Sequence, residues 1–366
     1  GSPDLSKKPA IDNMVTAYEA NPTEEAYQEI LTALNAAVVT LQEGKWYRLE
    51  NTARPSYKML VPAQRVKDNV TYAAFTGTDL NEKTADQLWQ FKKSGDNWLI
   101  YNGNYNCYIS ESKAMYLYAE QTDEAGAGAY DITSQSTGIS LLRSVNPTNS
   151  SIPYLHMAGE GNLVAWTAAE SASQWYIEPV ADIKADVPEG GYATVCYPFA
   201  VSIPESVQVY AAKTVNEATG DMAYLYANGG FAEGTLKAGT PAVIKAEAGT
   251  QTFAIASDIE GTADDNALTG VLAAASYAEG TNYAINAAGT AFVKAAATGT
   301  AAANTAYLPA AIDVEELPFT FTYTGIRNLN VQDGGNAAPV YDLSGRRVQK
   351  AEKGIYITSG KKQLVK

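Results

Sequence analysis

Along residues 9–41 apolar positions recur every three to four residues: Ile11, Met14, Val15 and Tyr18, then Tyr27, Ile30, Leu31, Leu34 and Val38. That spacing predicts two amphipathic helices. They part at Asn21-Pro22, with Asn21 as N-cap of the second helix, Pro22 in its first turn and Glu24-Glu25 at its positive end. Two short helices cannot build a core of their own. Either the hairpin docks on the next domain, or it is the stub of a longer protein that continues upstream of Ile11.

From Lys45 onward the period changes to two, and the alternation comes in three similar blocks. The blocks open with Trp46-Tyr47-Arg48-Leu49, Trp98-Leu99-Ile100-Tyr101 and Ile139-Ser140-Leu141-Leu142-Arg143. They close with Leu88-Trp89-Gln90-Phe91, Ala129-Tyr130-Asp131-Ile132 and Gln174-Trp175-Tyr176-Ile177. The closing aromatics are 41 and 45 residues apart, and each block carries a middle strand with an aromatic: Phe75, Tyr118 and Trp166. One such unit cannot bury its own apolar face, whereas three can close on one another without leaving an edge strand. The prediction for residues 44–181 is therefore a pseudo-threefold assembly with Tyr47, Trp89, Trp98 and Trp175 in its core.

Pro188-Glu189-Gly190-Gly191 marks the next boundary. Over residues 187–324 about eight short strand patterns, among them Tyr192–Tyr197, Ala242–Lys245, Asn282–Ile285 and Ala291–Lys294, are separated by Gly or Asn turns, which predicts a β-sandwich. The last segment, 325–366, reads as a small β-domain with strands either side of Ser344-Gly345 and Gly354. The fold class expected is thus mostly β and multi-domain, with a short N-terminal α-hairpin.

Composition narrows the function. The 366 residues carry a net charge of −14 and a pI near 4.6, which argues against a nucleic-acid partner, since phosphate binding needs clustered Lys and Arg. No apolar run approaches the ~20 residues of a membrane-spanning helix. The single His156 excludes a His-rich metal site, and the sequence holds no G-x-S-x-G, H-E-x-x-H or C-x-x-C. Asp264-Asp265-Asn266 lacks the ligand spacing of a calcium loop. No cofactor, metal site or catalytic constellation is expected, and the chain reads as a binding protein rather than an enzyme. Cys107 and Cys196 fall in different blocks and are expected as buried thiols. Asn102, Asn104 and Asn106 with Tyr101 and Tyr105 form a polar cluster that an Asn-Gly turn explains.

With its three closings and Asp86-Gln87-Leu88-Trp89, close to a Q-x-W signature, the stretch 44–181 resembles a ricin-type β-trefoil. Ser173-Gln174-Trp175 is a shifted version, and the second unit has Tyr130 without a Gln. The resemblance implies carbohydrate binding, in which an aromatic ring stacks on the apolar face of a sugar while polar groups bond its hydroxyls. By position it assigns stacking to Trp166, with Tyr118 and Phe75 as counterparts. The family's Asp falls near His156, Ile109 and Met59, none of which is an Asp. The candidate glycan site is accordingly Trp166, His156, Asn162 and Glu160, with Tyr118 in the second unit. A surface protein as partner in an adhesion or scaffold role, and an accessory region of a glycan-degrading enzyme, are the alternatives. The tail from Tyr341 to Lys366, with seven Lys/Arg against two Asp/Glu, resembles the C-terminal sorting segments of type IX secretion in Bacteroidetes. It implies a secreted or outer-surface location.

Overall fold

A computed structural model describes residues 2–3, 7–36, 38–67, 69–113, 116–136, 138–217, 220–226, 234–259 and 265–321, and then 327–328, 340–341, 347–348, 353–358 and 361–365. The N-terminal helices are α1 (Lys8–Ala20) and α2 (Glu24–Ala36). The cap of α2 differs from the sequence expectation. Thr23, not Asn21, takes the role, its hydroxyl accepting from the Ala26 N–H at 3.1 Å. Asn21 instead ends α1, its N–H donating to the carbonyls of Ala17 and Tyr18. The apolar stripe is also only partly covered: Ile30 is buried, while Tyr27 and Leu34 remain 43% and 45% exposed.

Residues 46–180 form twelve strands: β1 (Trp46–Asn51), β2 (Met59–Lys67), β3 (Val70–Thr78), β4 (Trp89–Ser94), β5 (Asn97–Asn102), β6 (Cys107–Lys113), β7 (Tyr116–Gln121), β8 (Ala129–Ser136), β9 (Ile139–Ser144), β10 (Tyr154–Met157), β11 (Leu163–Trp166) and β12 (Gln174–Val180). Six of them close into a ring in the order β1, β4, β5, β8, β9, β12 and back to β1. The opening and closing strand of each block meet at matching places: Tyr47 opposite Trp89, Trp98 opposite Tyr130, Ser140 opposite Trp175. The remaining strands make three hairpins, β2–β3, β6–β7 and β10–β11, and Val164 pairs with Tyr116 where two of them touch. Three four-stranded lobes around a six-stranded barrel constitute a β-trefoil, which has no open barrel edge.

The threefold repeat extends to side chains. Trp89 Nε1 donates to the Leu60 carbonyl at 2.9 Å, and Trp175 Nε1 donates to the Leu155 carbonyl at 3.0 Å. Tyr130, fully buried at the same place in the second lobe, has a hydroxyl with no hydrogen-bond partner among the described residues. Asn51 and Asn102 end the first strands of their lobes, and both send Nδ2 to the turn before a closing strand, to Ala172 O at 2.9 Å and Asp86 O at 2.7 Å. These buried amides satisfy backbone carbonyls that the barrel would otherwise leave unpaired. Trp98 is the exception to the predicted core. It is half-buried, with the Lys93 ammonium 3.9 Å from its ring centre.

The second body begins before residue 187. Strand β13 (Asp182–Val187) already pairs with β18 (Gly249–Ala254), only two residues after the barrel ends at Val180. A nine-stranded sheet follows in the order β14 (Tyr192–Val195), β17 (Ala242–Lys245), β15 (Gln208–Glu217), β16 (Gly220–Tyr226), β23 (Glu316–Thr320), β21 (Ala291–Lys294), β20 (Thr281–Ile285), β22 (Thr305–Ala310) and β19 (Thr269–Val271). Its two halves face each other over a core that includes Val243, Leu225, Tyr283, Phe292 and Leu317. Val243 points into that core, while Ala242 and Ile244 point into another, so β17 is buried on both faces and reads as an unbroken apolar run.

That other core is shared. Trp46, Ala85 and Leu88 of the trefoil pack with Ile183, Val195, Phe199, Ile244 and Phe253 of the sandwich. At the seam Asn304, in the left-handed region at φ 58° and 5% exposed, accepts from Ala85 N at 2.8 Å. Its amide nitrogen donates to the Asn104 side chain and the Cys196 carbonyl, both at 3.0 Å. A Cβ on Gly103 would lie 2.7 Å from Pro198, so the Asn-Gly-Asn run is a close approach between domains. Cys107 and Cys196 are both free and buried, and burial pushes each thiol up to about 12. At the C-terminal end five short strands pair in the order 327–328, 361–365, 354–358, 340–341, 347–348, and Ser344-Gly345 lies outside the described residues.

Candidate functional site

Strand pairing decides which side chains share a face. In the third lobe Tyr154 is opposite Trp166 and His156 is opposite Val164, which puts all four on one face of the β10–β11 hairpin. His156 and Trp166 meet there as ring neighbours, with centroids 6.0 Å apart. Val164 and Ala165 are buried, but Trp166, last in its strand, is 38% exposed. The open indole thus borders the buried imidazole.

The polarity of His156 follows from its partners. Ser173 Oγ donates its one proton to the Thr167 carbonyl at 2.7 Å, and it lies 2.9 Å from His156 Nδ1. A hydroxyl has one proton to give, so Nδ1 must be the donor and Ser173 the acceptor. The tautomer inferred from this network leaves Nε2 as an acceptor. Burial pushes the His156 pKa below its ordinary value, and the Arg54 guanidinium adds to the effect while Glu170 opposes it. Arg54 is held nearby by donating from Nε to the Met157 carbonyl at 3.0 Å. At neutral pH the buried imidazole is therefore uncharged and lies next to an exposed aromatic ring.

Glu160 is exposed in the turn between β10 and β11, and Asn162 is half-buried at its end. Asn162 is four positions before Trp166 along the strand, about 13 Å away at ~3.3 Å per residue. Its backbone carbonyl accepts from Ala158 N at 2.9 Å, closing the turn. Gly161 in that turn has φ 83°, and a Cβ there would meet the Tyr57 ring at 2.5 Å. The Tyr118 side chain lies outside the described residues, although its backbone pairs with Ser110.

Register also corrects the proposed counterparts of Trp166. Met59 pairs with Thr78, Tyr108 with Gln121 and Tyr154 with Trp166, so Thr78 and Gln121 hold its position in the first two lobes. Phe75, Leu117 and Leu163 are the matching set three or four residues earlier, and all three are buried in the barrel core. Likewise Val61 and Ser110, not Met59 and Ile109, match His156. Alignment of aromatics in the sequence placed Phe75 beside Trp166 because both lie in middle strands, but the two face opposite sides. The third lobe alone unites an exposed ring with a buried acceptor at these positions.

Sequence reasoning passed over Tyr154, Ser173, Thr167 and Arg54. Tyr154 was within reach, since it alternates with His156 along one strand. Ser173 and Arg54 arrive from segments 17 and 102 residues away from His156 in the chain, and only the fold brings them in. Among the described residues no group of three or more His, Cys, Asp or Glu could hold a metal ion, and no helix is long and apolar enough to cross a membrane.

No family model matches this sequence, and no curated protein does. Among solved structures the chain is similar to the PSL1a–E64 complex, with 12% identity over 40% of this chain and 50% of that one and a TM-score of 0.29. It is similar to the Macrolepiota procera ricin B-like lectin MPL in complex with lactose, with 15% identity over 38% of this chain and 99% of that one and a TM-score of 0.28. A third is the Polyporus squamosus lectin bound to the human-type influenza-binding epitope Neu5Aca2-6Galb1-4GlcNAc, with 13% identity over 40% of this chain and 52% of that one and a TM-score of 0.31. The aligned part spans about half the length of the first and third of these. Residues 46–180 are a β-trefoil by their own strand pairing, and a ricin B-like lectin is among the solved structures this chain is similar to.

Proposed function

We propose that this protein binds a glycan, without catalysis, through the third lobe of its trefoil. The observation that supports the reading is the pairing of the open Trp166 ring with the acceptor-bearing His156. A pyranose presents an apolar face to the first and a hydroxyl to the second. A secreted or outer-surface location belongs to the same proposal and is supported by the basic tail from Tyr341 to Lys366. On a glycan array the full chain gives at least one hit, and Trp166→Ala weakens that hit about tenfold or more, equivalent to ~1.4 kcal/mol. A Trp166→Ala variant that binds neutral-sugar hits as well as the parent overturns the proposal.

The same geometry makes binding depend on pH. The folded pKa of His156 lies below its ordinary value of 6.5, so above 6.5 the ring is neutral and Nε2 accepts. As pH falls through the lowered folded pKa, Nε2 gains a proton, ceases to accept, and faces Arg54 as a like charge. Because the unfolded ring takes up its proton first, folding stability also declines as pH drops below about 6.5. Calorimetric titration between pH 8 and 5 is expected to show constant affinity above about 7 and falling affinity below the His156 pKa. His156→Gln is expected to flatten the profile.

A further inference from the structure

A second aromatic surface lies on the sandwich, away from the trefoil hairpin. A cleft of about 490 Å³ is lined by Tyr210, Tyr224, Tyr226, Lys245 and Phe321. That volume is within the ~300–1,000 Å³ common for small-molecule sites. The Tyr224 and Tyr226 rings stack with centroids 4.9 Å apart and planes 15° from parallel. Across the cleft the Tyr210 ring meets Phe321 edge-on at 5.6 Å, and Phe321 is 45% exposed. An exposed phenyl ring with no hydroxyl of its own, facing a wall of tyrosines, offers apolar area rimmed by polar tips.

Charge makes the cleft more selective. Residues 185–325 contain 15 Asp/Glu and four Lys. Lys213 pairs with Asp265 and Lys294 with Asp313. Lys245 has no ion pair among the described residues, and its ammonium lies 5.5 Å from the Tyr192 ring centre and 5.9 Å from that of Phe321. An anionic group entering the cleft meets this ammonium as its counter-charge. Rings for a sugar face together with a cation for a carboxylate describe a site for acidic sugar units.

We infer that this cleft is a second saccharide site, specific for uronate-type sugars, whose apolar face lies on Phe321 and the tyrosines and whose carboxylate meets Lys245. It uses none of the trefoil residues, so it stands or falls independently of the Trp166 site. The test is calorimetry of the full chain carrying Trp166→Ala with tetragalacturonate and, as the neutral counterpart, its methyl ester. In this background the acid is expected to bind, with the ester at least tenfold weaker. Adding Phe321→Ala or Lys245→Gln is expected to weaken the acid tenfold or more with an unchanged melting temperature. Absence of binding by the Trp166→Ala chain overturns the inference. So does equal binding of acid and ester, or affinity untouched by both cleft substitutions.

Discussion

Replacing Trp175 with Ala is expected to lower the free energy of unfolding by ~3–5 kcal/mol, the usual cost of deleting a fully buried large aromatic side chain. The residue is 0% exposed, closes the third lobe against Ser140 and Asn51, and donates to the Leu155 carbonyl at 3.0 Å. Removing it empties a large part of the barrel core and leaves that carbonyl buried without its donor. The second lobe supplies the internal control. Tyr130 fills the equivalent place, yet its hydroxyl has no partner among the described residues. Tyr130→Phe is therefore expected to cost less than ~0.5 kcal/mol or to stabilise, because an unsatisfied buried hydroxyl carries a desolvation penalty and no compensating bond. Urea unfolding followed by tryptophan fluorescence measures both. A Tyr130→Phe variant as damaged as Trp175→Ala contradicts the equivalence of the lobes.

The seam between trefoil and sandwich is the second sensitive place. Asn304→Ala is expected to destabilise the protein by ~2–4 kcal/mol, because it leaves several buried polar groups without partners at once. Those groups are the Ala85 N–H, the Asn104 amide and the Cys196 carbonyl. Since the two domains also share the core around Trp46 and Phe199, whose rings are 5.0 Å apart, the parent is expected to unfold in one transition that includes both. The variant is expected to separate them into two. Asn304→Gly distinguishes the causes, since it keeps the positive φ accessible but removes the same amide. If Asn304→Gly restores full stability, backbone strain rather than the hydrogen bonds holds the seam.

Much of this architecture was legible in the sequence because the barrel repeats. The 41- and 45-residue spacing of Trp89, Tyr130 and Trp175 follows from three lobes that must each contribute a large ring to one axis. Strands 242–245 and 291–294 were also legible to the residue, being short apolar runs bounded by Gly or Thr turns. What escaped is whatever depends on long-range pairing. Asp182–Val187 is a strand only because Gly249–Ala254 lies beside it. Asn104 looks like a turn residue until Asn304, two hundred positions later, meets it. Within the candidate site, position in the repeat points to Trp166 and His156, whereas strand geometry carries Glu160 into the turn and sets Asn162 about 13 Å from Trp166, two positions from the Val164 that pairs with His156. Phe75 and Trp166 both lie in middle strands, yet a shift of three residues along a strand turns a side chain from one face to the other.

The most direct measurement is a crystal structure of the chain soaked with a saccharide taken from its glycan-array hits. The expected result is electron density in the trefoil at one place, with a sugar ring flat on Trp166 and a hydroxyl within ~3 Å of His156 Nε2. Sugar bound in the first or second lobe, where Thr78 and Gln121 stand, with the Trp166 face bare, would contradict it.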